Sequence, residues 1–352
     1  HKEMDLILFK TILVVSLFGL SMAVAAYSTW AERKVAAIMQ DRIGPNRTWK
    51  FGLLQPLADG GKFFFKEDFI PEKAEKFLFF FGPGLVMFIS LITGAVIPWG
   101  TSLNIGGESY DLQVANIDVG VLYLMGMVSI GVYGIMLGGW ASNNKFALMG
   151  AIRASSQMIS YELAMGLALL AIILMNGSLD LKEIAANQSD FYGLGWNIFF
   201  QPIAFLVFFV AALAETNRAP FDLPECETEL VGGFHTEYSA MKLGLFLFGE
   251  YVNMFISSAL ITTLFLGSYN FPGLAWIGEN WGENAMGIAS ILIFLTKTFC
   301  VILTFMWIRW TLPRFRYDQL MHLGWKTLIP LALVNLLVTG AVLLLNQHYQ
   351  WI

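Results

Sequence analysis

The first long apolar run of this sequence is LILFKTILVVSLFGLSMAVAAYSTW, residues 6–30. It carries a single charge, Lys10, and ends in Trp30, an aromatic residue of the kind that favours the membrane–water interface. About 20 mostly apolar residues suffice for a helix to cross a bilayer, and a helix satisfies its own backbone amides within lipid. The run therefore predicts a membrane-spanning helix. Because no small-residue cleavage site ends it, we expect a retained helix rather than a signal peptide.

The rest of the chain repeats this pattern. Hydrophobic residues make up 57% of the 352 residues and charged residues only 13%, whereas a soluble domain carries about a quarter charged residues. We predict an all-α membrane protein in which residues 1–352 form a single polytopic membrane domain with long folded cytoplasmic loops. Its eight predicted transmembrane helices cover residues 6–30, 77–99, 117–141, 156–176, 196–215, 241–266, 286–310 and 327–346.

The distribution of basic residues predicts the orientation. The loops after the first, third, fifth and seventh spans share one side of the membrane and hold 17 of the 21 Lys and Arg residues. Loops rich in Lys and Arg stay in the cytoplasm. We therefore expect these four loops in the cytoplasm and both termini on the periplasmic side.

The first cytoplasmic loop contains a second apolar stretch, residues 51–69. It is too short and too charged to span, so it predicts an amphipathic helix lying in the membrane interface. A plain surface anchor is the alternative. Gln55-Pro56 and Gly60-Gly61 argue against that alternative, because they predict breaks that a simple anchor would not need.

The third cytoplasmic loop combines acids with apolar residues and prolines. Its acids lie within 23 residues beside a single arginine, Arg218. Pro220 and Phe221 belong to the apolar residues and prolines that are interspersed with the acids, which favours a folded loop packed against the bundle over a solvated acidic loop. The six carboxylates are Glu215, Asp222, Glu225, Glu227, Glu229 and Glu237.

Charged residues also lie inside the predicted spans. Glu162, Glu250 and Lys297 fall within spans, and Glu215 closes one. Such residues are costly in lipid and mark pathways or ion pairs. Carboxylates suit a proton route because they lose and regain a proton without leaving the helix. The alternative is a structural ion pair of Lys297 with Glu162 or Glu250.

Cysteine and histidine spacing predicts no metal, haem or iron–sulfur site bound by this chain. Cys226 and Cys300 lie far apart, and the histidines are scattered. The histidines are His1, His235, His322 and His348.

Six segments, which together include the long cytoplasmic loops, match one family in order. They are ERKVAAIMQDRIGPNR (32–47), LQPLADGGKFFFKED (54–68), RASSQMISYE (153–162), AETNRAPFDLPECETELVGGFHTEYSAMK (214–242), FGEY (248–251) and RWTLPRFRYDQLMHLGWK (309–326). Through them the chain resembles the membrane subunit designated H of NADH:quinone oxidoreductase, the bacterial counterpart of the mitochondrial ND-one subunit of respiratory complex I. The resemblance covers essentially the whole chain.

This resemblance implies a membrane subunit of a proton-translocating enzyme in the bacterial inner membrane. It implies that the chain binds no redox cofactor itself. Quinone is the implied substrate, and FMN and iron–sulfur clusters are expected in partner subunits. The implied partners are the hydrophilic quinone-site subunits, the adjacent membrane subunits and the lipid bilayer, with no nucleic acid.

The resemblance also assigns residues, none of them catalytic. Arg314, Arg316 and Asp318 are expected to dock the hydrophilic arm, while a structural or functional role for Glu32 stays open. The implied quinone chamber comprises Arg33, Arg42, Gln55, Asp59, Lys62, Arg218, Phe221 and Asp222. The implied proton route comprises Glu162, Glu215, Glu225, Glu227, Glu229 and Glu250, and we expect it to couple quinone reduction electrostatically to pumping.

Three alternatives differ in function. The equivalent membrane subunit of a nickel–iron hydrogenase or formate hydrogenlyase shares the span plan, but the full SYE, PFDLPE and RYDQLM motifs favour the quinone enzyme. A stand-alone proton-coupled transporter usually shows paired halves with broken helices, and no such repeat relates the two halves of this chain. A bare structural scaffold leaves the cost of Glu162, Glu250 and Lys297 in lipid unexplained.

Overall fold

The structure, a computed structural model, describes residues 2–223 and 230–349. This part of the chain is mostly helical, with one short pair of strands. In chain order the elements are α1 (Lys2–Met39), α2 (Gln55–Phe65), α3 (Lys76–Thr93), β1 (Ser102–Ile105), β2 (Glu108–Asp111), α4 (Gly120–Ala141), α5 (Lys145–Asn176), α6 (Leu181–Asn187), α7 (Asp190–Gly193), α8 (Asn197–Phe200), α9 (Pro202–Glu215), α10 (Ala240–Phe265), α11 (Leu274–Trp281), α12 (Glu283–Thr311), α13 (Tyr317–His322) and α14 (Ile329–Tyr349). A π-helical stretch, Leu323–Leu328, joins α13 to α14.

Seven helical segments of the described chain are long and apolar enough to cross a membrane. They are α1, α3, α4, α5, α10, α12 and the continuous stretch from α13 into α14. Because each is too long for one side of a soluble core and too apolar for water, the chain is a helical multi-pass membrane protein.

The fifth predicted span, residues 196–215, differs from a single helix. The structure divides it into α8 and the 14-residue α9, which is shorter than the roughly 20 residues of a typical span. Pro202 accounts for the division, because its ring removes the backbone donor that a continuous helix would need there. The total of eight spans and the orientation of the termini stay predictions.

The helical structure agrees with the all-α membrane class, and the described chain adds one short β-hairpin that was not predicted. β1 and β2 pair antiparallel, with Ile105 opposite Glu108. Gly106 and Gly107 form the turn with φ of 65° and 89°, values that glycine adopts without strain. A Gly-Gly pair between two short runs of strand-compatible residues is a hairpin signal, and it was present in the sequence.

The stretch predicted to be amphipathic, residues 51–69, contains the shorter helix α2. Pro56 lies in its first turn, where a missing backbone donor costs nothing. Gly60 and Gly61 lie inside the helix, so the break predicted there is wrong. An interior glycine costs a helix about 1 kcal/mol relative to alanine, and contacts with α1 and α10 offset that cost.

Helix α10 is the centre of the bundle. It packs against α1, α2, α3, α9 and α12 and is the most buried of the candidate spans. Beside it, α3 and α4 cross closely because glycines line their contact. A Cβ on Gly134 would lie 2.6 Å from the side chain of Val86. This close crossing brings polar residues of α3 and the backbone of α4 next to α10.

The loops predicted to be cytoplasmic contact one another. Asn143, in the second of them, donates to the carbonyl oxygen of Lys73 in the first, at 3.2 Å. Asn144 donates to the Glu237 carboxylate in the third loop, at 2.6 Å. Three loops that the charge distribution assigns to one side of the membrane therefore form one packed surface.

Candidate functional site

A buried cluster of charged side chains centres on Arg218, just after α9. Its guanidinium stacks 4.0 Å from the centre of the Tyr251 ring, and its Nη2 lies 3.3 Å from Glu250 Oε2. Its Nη1 lies 3.8 Å from Glu32 Oε2, which also accepts a 2.6 Å hydrogen bond from Tyr251. Arg309 pairs with the other oxygen of Glu32. The cluster therefore joins two cations to two carboxylates, which compensates charges that would be costly to bury alone.

A glutamine on α5 fixes the loop that carries Arg218. The Gln157 amide nitrogen donates to the carbonyl oxygens of Ala214, at 2.9 Å, and Phe221, at 3.0 Å. These two acceptors flank Arg218 in the sequence. One fully buried side chain thus closes the loop, so that Arg218 is held against α10.

A cavity of about 310 Å³ opens between α1, α2, α10 and α12. Its inner end is the Arg218 cluster, while Pro56, Phe63 and Phe248 provide apolar walls. A mainly apolar cavity with a few convergent polar groups suits a ligand that has an apolar tail and a polar head. We call it the large cavity. Its lining residues are Ala26, Thr29, Glu32, Arg33, Pro56, Asp59, Gly60, Phe63, Arg218, Leu247, Phe248, Tyr251, Arg309 and Trp310.

Three of the residues predicted for the chamber form one network at the side of the large cavity. Arg33 of α1 pairs with Asp59 of α2 at 2.8 Å. Gln55 donates to the same carboxylate at 3.0 Å and accepts from Thr48 at 2.7 Å. The network joins α1 to α2, so that the two helices form adjoining walls.

A second, smaller cavity of about 40 Å³ lies among α3, α4, α5, α9 and α10. Glu215 and Glu250 both line it, and Asn253 donates to Glu215 at 3.3 Å. One water needs about 10–15 Å³ of such volume, so the small cavity has room for about three or four waters. Its lining residues are Val86, Ile89, Ser90, Thr93, Val128, Gly131, Ile135, Met158, Glu215, Thr216, Asn217, Gly249, Glu250 and Asn253.

The two cavities meet at one ion pair. Arg218 lines the large cavity, Glu250 lines the small one, and 3.3 Å separates their charged atoms. A change of charge in the large cavity therefore acts directly on a carboxylate of the small cavity.

Glu162 lies outside the lining of both cavities. It accepts a hydrogen bond from Ser129 on α4. The neighbour of Ser129 in the sequence, Val128, lines the small cavity. The hydrogen-bond partner of Glu162, Ser129, is thus the sequence neighbour of a residue that lines the small cavity.

Five residues predicted for the chamber line neither cavity, among them Gln55 of the network just described. Arg42 contacts Gln40 after α1, and Lys62 is exposed on α2. Phe221 packs edge-on against Tyr161, and Asp222 pairs with Arg314 at 3.3 Å. The assignments of these residues stay predictions. Glu225, Glu227 and Glu229, predicted for the route, and Cys226 lie outside the described residues.

The structural ion pair considered for Lys297 is wrong. Its ammonium group donates to the carbonyl oxygens of Leu266, Ser268 and Asn270, at 2.7, 2.9 and 2.6 Å. It also lies 4.4 Å from the centre of the Trp196 ring. The first of these carbonyls directly follows α10, so Lys297 stabilises the end of that helix rather than a glutamate.

Several residues of the site were not singled out from the sequence for a role, Gln157 among them. Tyr251 and Arg309 belong to the charged cluster, Asn253 contacts Glu215, and Ser129 contacts Glu162. Tyr251 and Arg309 stand inside quoted motifs, FGEY and RWTLPRFRYDQLMHLGWK. No local pattern marks Asn253 or Ser129, because their roles depend on contacts between helices.

Comparisons with known proteins agree on one family. The family model described as NADH dehydrogenase matches residues 11–340. A subunit of NADH-quinone oxidoreductase from Flavobacterium psychrophilum, designated H, is 58% identical to the chain over 339 residues, covering 96% of this chain and 98% of that protein. A subunit with the same designation from Cytophaga hutchinsonii is 58% identical over 341 residues, covering 97% and 98%. One from Geobacter metallireducens is 48% identical over 333 residues, covering 95% and 96%.

Proposed function

The chain belongs to the NADH dehydrogenase family, among the NADH-quinone oxidoreductase subunits designated H, and from this membership we propose that it is a membrane subunit of the proton-translocating complex I of a bacterial inner membrane. Within that translocase it forms a quinone-access chamber and a carboxylate route. FMN and iron–sulfur clusters belong to partner subunits, and the hydrophilic quinone-site subunits and adjacent membrane subunits are its partners. The relatives' names favour this function over the hydrogenase, transporter and scaffold alternatives.

The large cavity supports the quinone chamber. A quinone carries a polar ring on a long apolar tail, so it needs an apolar passage with a polar inner end. Phe63 and Phe248 supply apolar walls, while Arg218, Tyr251 and Arg309 present donors at the inner end. Reducing the quinone requires two electrons, which come from a partner subunit, and two protons. Cationic donors at the inner end stabilise the negative charge that develops when electrons arrive before protons.

The small cavity supports the carboxylate route. Glu215 and Glu250 face the same water-sized space, with the hydroxyl-bearing residues Ser90 and Thr93 beside them. A carboxylate pair bridged by water passes a proton without moving the helices. The route would continue through Ser129 and Glu162 towards the adjacent membrane subunits.

The contact between Arg218 and Glu250 is the observation that carries this proposal. Negative charge added near Arg218 weakens the attraction between its guanidinium and Glu250. Reduction of quinone in the large cavity therefore changes the proton affinity of Glu250 in the small cavity. Coupling therefore needs no large displacement, because the two sites already share an ion pair.

The test is Glu250→Gln in the whole complex. The amide keeps the size of the side chain but cannot release a proton. We expect quinone reduction, and the proton pumping that depends on it, to fall by about tenfold or more, because a positioned proton-transfer group typically contributes 10²–10⁴-fold. The measurements are inhibitor-sensitive NADH:quinone reduction and proton uptake in vesicles that contain the purified complex.

Glu279→Gln is the matched control, since Glu279 is an exposed glutamate on α11, outside both cavities. It should leave both rates within about twofold of the unmodified complex. If Glu250→Gln also left both rates normal in a fully assembled complex, the carboxylate route through Glu250 would be wrong.

A further inference from the structure

A buried lysine at the start of α10 binds the segment that follows α2. The Lys242 ammonium lies 2.9 Å from Asp68 and donates to the carbonyl oxygen of Phe69 at 3.1 Å. The rings of Phe79 and Phe80 on α3 face it at 5.1 and 4.7 Å. The lysine side chain is only 5% exposed, whereas Asp68 is 49% exposed. The ion pair is therefore anchored on the α10 side and reaches out to the segment after α2.

The start of α10 departs twice from what a helix normally favours. Lys242 is a cation in the first turn, where the helix dipole disfavours positive charge. Ser239 occupies the N-cap position but makes no cap, and instead donates to the carbonyl oxygen of Glu67 at 3.1 Å. Both side chains thus bind residues 67–69 rather than stabilising their own helix. Such local conflicts are typical of places where a contact serves another purpose.

These contacts hold one end of α2, and the other end is held by α1. The Arg33–Asp59 pair and the Gln55 network fasten the first half of α2. Between the two attachments, Phe63 of α2 packs on Gly244 of α10 and lines the large cavity. The width of the cavity between α2 and α10 therefore depends on both attachments.

We propose that Lys242 is a positioning residue that sets the width of the quinone passage, by holding the end of α2 to α10 through Asp68 and Phe69. The proposal rests on the function proposed for the large cavity. The ion pair does not touch quinone. It fixes the wall past which the apolar tail must slide, so its loss affects quinones according to the length of their tails.

The test compares KM values for a long-tailed and a short-tailed quinone in the complex that carries Lys242→Met. Methionine keeps the apolar stem and removes the charge. We expect KM for the long-tailed quinone to rise by roughly tenfold, which corresponds to about 1.4 kcal/mol, with kcat unchanged. KM for the short-tailed analogue should stay within twofold. Equal shifts for the two quinones, or none, would show that Lys242 is only structural.

Asp68→Asn is a second variant that tests the same ion pair if Lys242→Met fails to assemble. It removes the partner at its half-exposed end, so it should shift the same KM in the same direction by a smaller factor. Lys66→Met is the matched control, because Lys66 is an exposed lysine at the end of α2. The control should leave both KM values unchanged. No shift in an assembled Asp68→Asn complex would overturn the proposal.

A variant of the cavity wall separates this proposal from the proposed function. Phe63→Trp narrows the large cavity directly, without touching Lys242. If Phe63→Trp changes the long-tailed KM and Lys242→Met does not, only the role of Lys242 is wrong. If neither changes it, the large cavity is not the quinone passage, and both proposals fail.

Discussion

Arg218, which is buried, and Lys297, which is partly buried, are two cations that the protein compensates in different ways. Arg218 lies against the carboxylates Glu250 and Glu32. Lys297 donates to three backbone carbonyl oxygens and faces the ring of Trp196. One cation is balanced by groups that can take up a proton, and the other by groups that cannot.

This difference separates a site that can change state from one that cannot. A carboxylate paired with Arg218 responds to charge in the large cavity, because its proton affinity depends on the cation beside it. Carbonyl oxygens carry fixed partial charges and hold Lys297 whatever happens elsewhere. Charge within the membrane therefore does not by itself indicate a proton route; the identity of the partner decides.

The largest expected effect comes from removing Arg218, the cation whose partners are carboxylates that can take up a proton. Arg218→Gln leaves Glu250 and Glu32 buried without their shared cation. We expect NADH:quinone reduction to fall by roughly a hundredfold, as when a group that positions substrate is misplaced by about 1 Å. The measurement is the rate with quinone divided by the rate with an artificial acceptor that takes electrons before the quinone step, which corrects for assembly.

Arg218→Lys is the conservative control for this prediction. Lysine restores a positive charge but not the planar group that stacks on Tyr251, so it should recover part of the rate. A normal corrected rate for Arg218→Gln would contradict the proposed role of the charged cluster in quinone reduction.

Removing Lys297, the cation bound by backbone carbonyl oxygens, should affect stability instead. Lys297→Met leaves three carbonyl oxygens without their donor, at a cost of about 1–3 kcal/mol for each buried acceptor that stays unsatisfied. We expect faster thermal inactivation of the complex, with a corrected turnover within about twofold of normal at low temperature. The check is the inactivation half-life measured beside the turnover.

One result for Lys297→Met would contradict the distinction between the two cations. If this variant lost quinone reduction or pumping as severely as Arg218→Gln while keeping its thermal stability, the carbonyl-bound lysine would belong to the mechanism.

The long apolar runs made the helical membrane class predictable, because each run is a local property of about twenty residues. The division of residues 196–215 was less evident, although Pro202 was visible there. The hairpin had a Gly106-Gly107 signal that the membrane pattern overshadowed. Local sequence therefore predicted elements well where hydrophobicity dominates, and poorly where one residue redirects the backbone.

The site was predictable only in its acids and its motif residues. Glu250 and Arg218 were singled out from the sequence, but their 3.3 Å contact joins two segments that are not adjacent in the chain. The partners of Lys297 were missed for a related reason. Backbone carbonyls have no sequence signature, so a cation bound by them looks the same as one bound by acids.

The smallest expected effect tests whether the proposed carboxylate route extends to Glu162. Ser129→Ala removes the hydroxyl that donates to Glu162, and Ser129→Thr keeps it. A hydrogen bond to a charged group contributes about 1.5–3 kcal/mol, of which a flexible carboxylate recovers part elsewhere, so we expect a loss of roughly threefold in pumping-coupled turnover for alanine. Threonine should remain near normal. Equal rates for Ser129→Ala and Ser129→Thr would place Glu162 outside the carboxylate route and confine that route to the carboxylates of the small cavity.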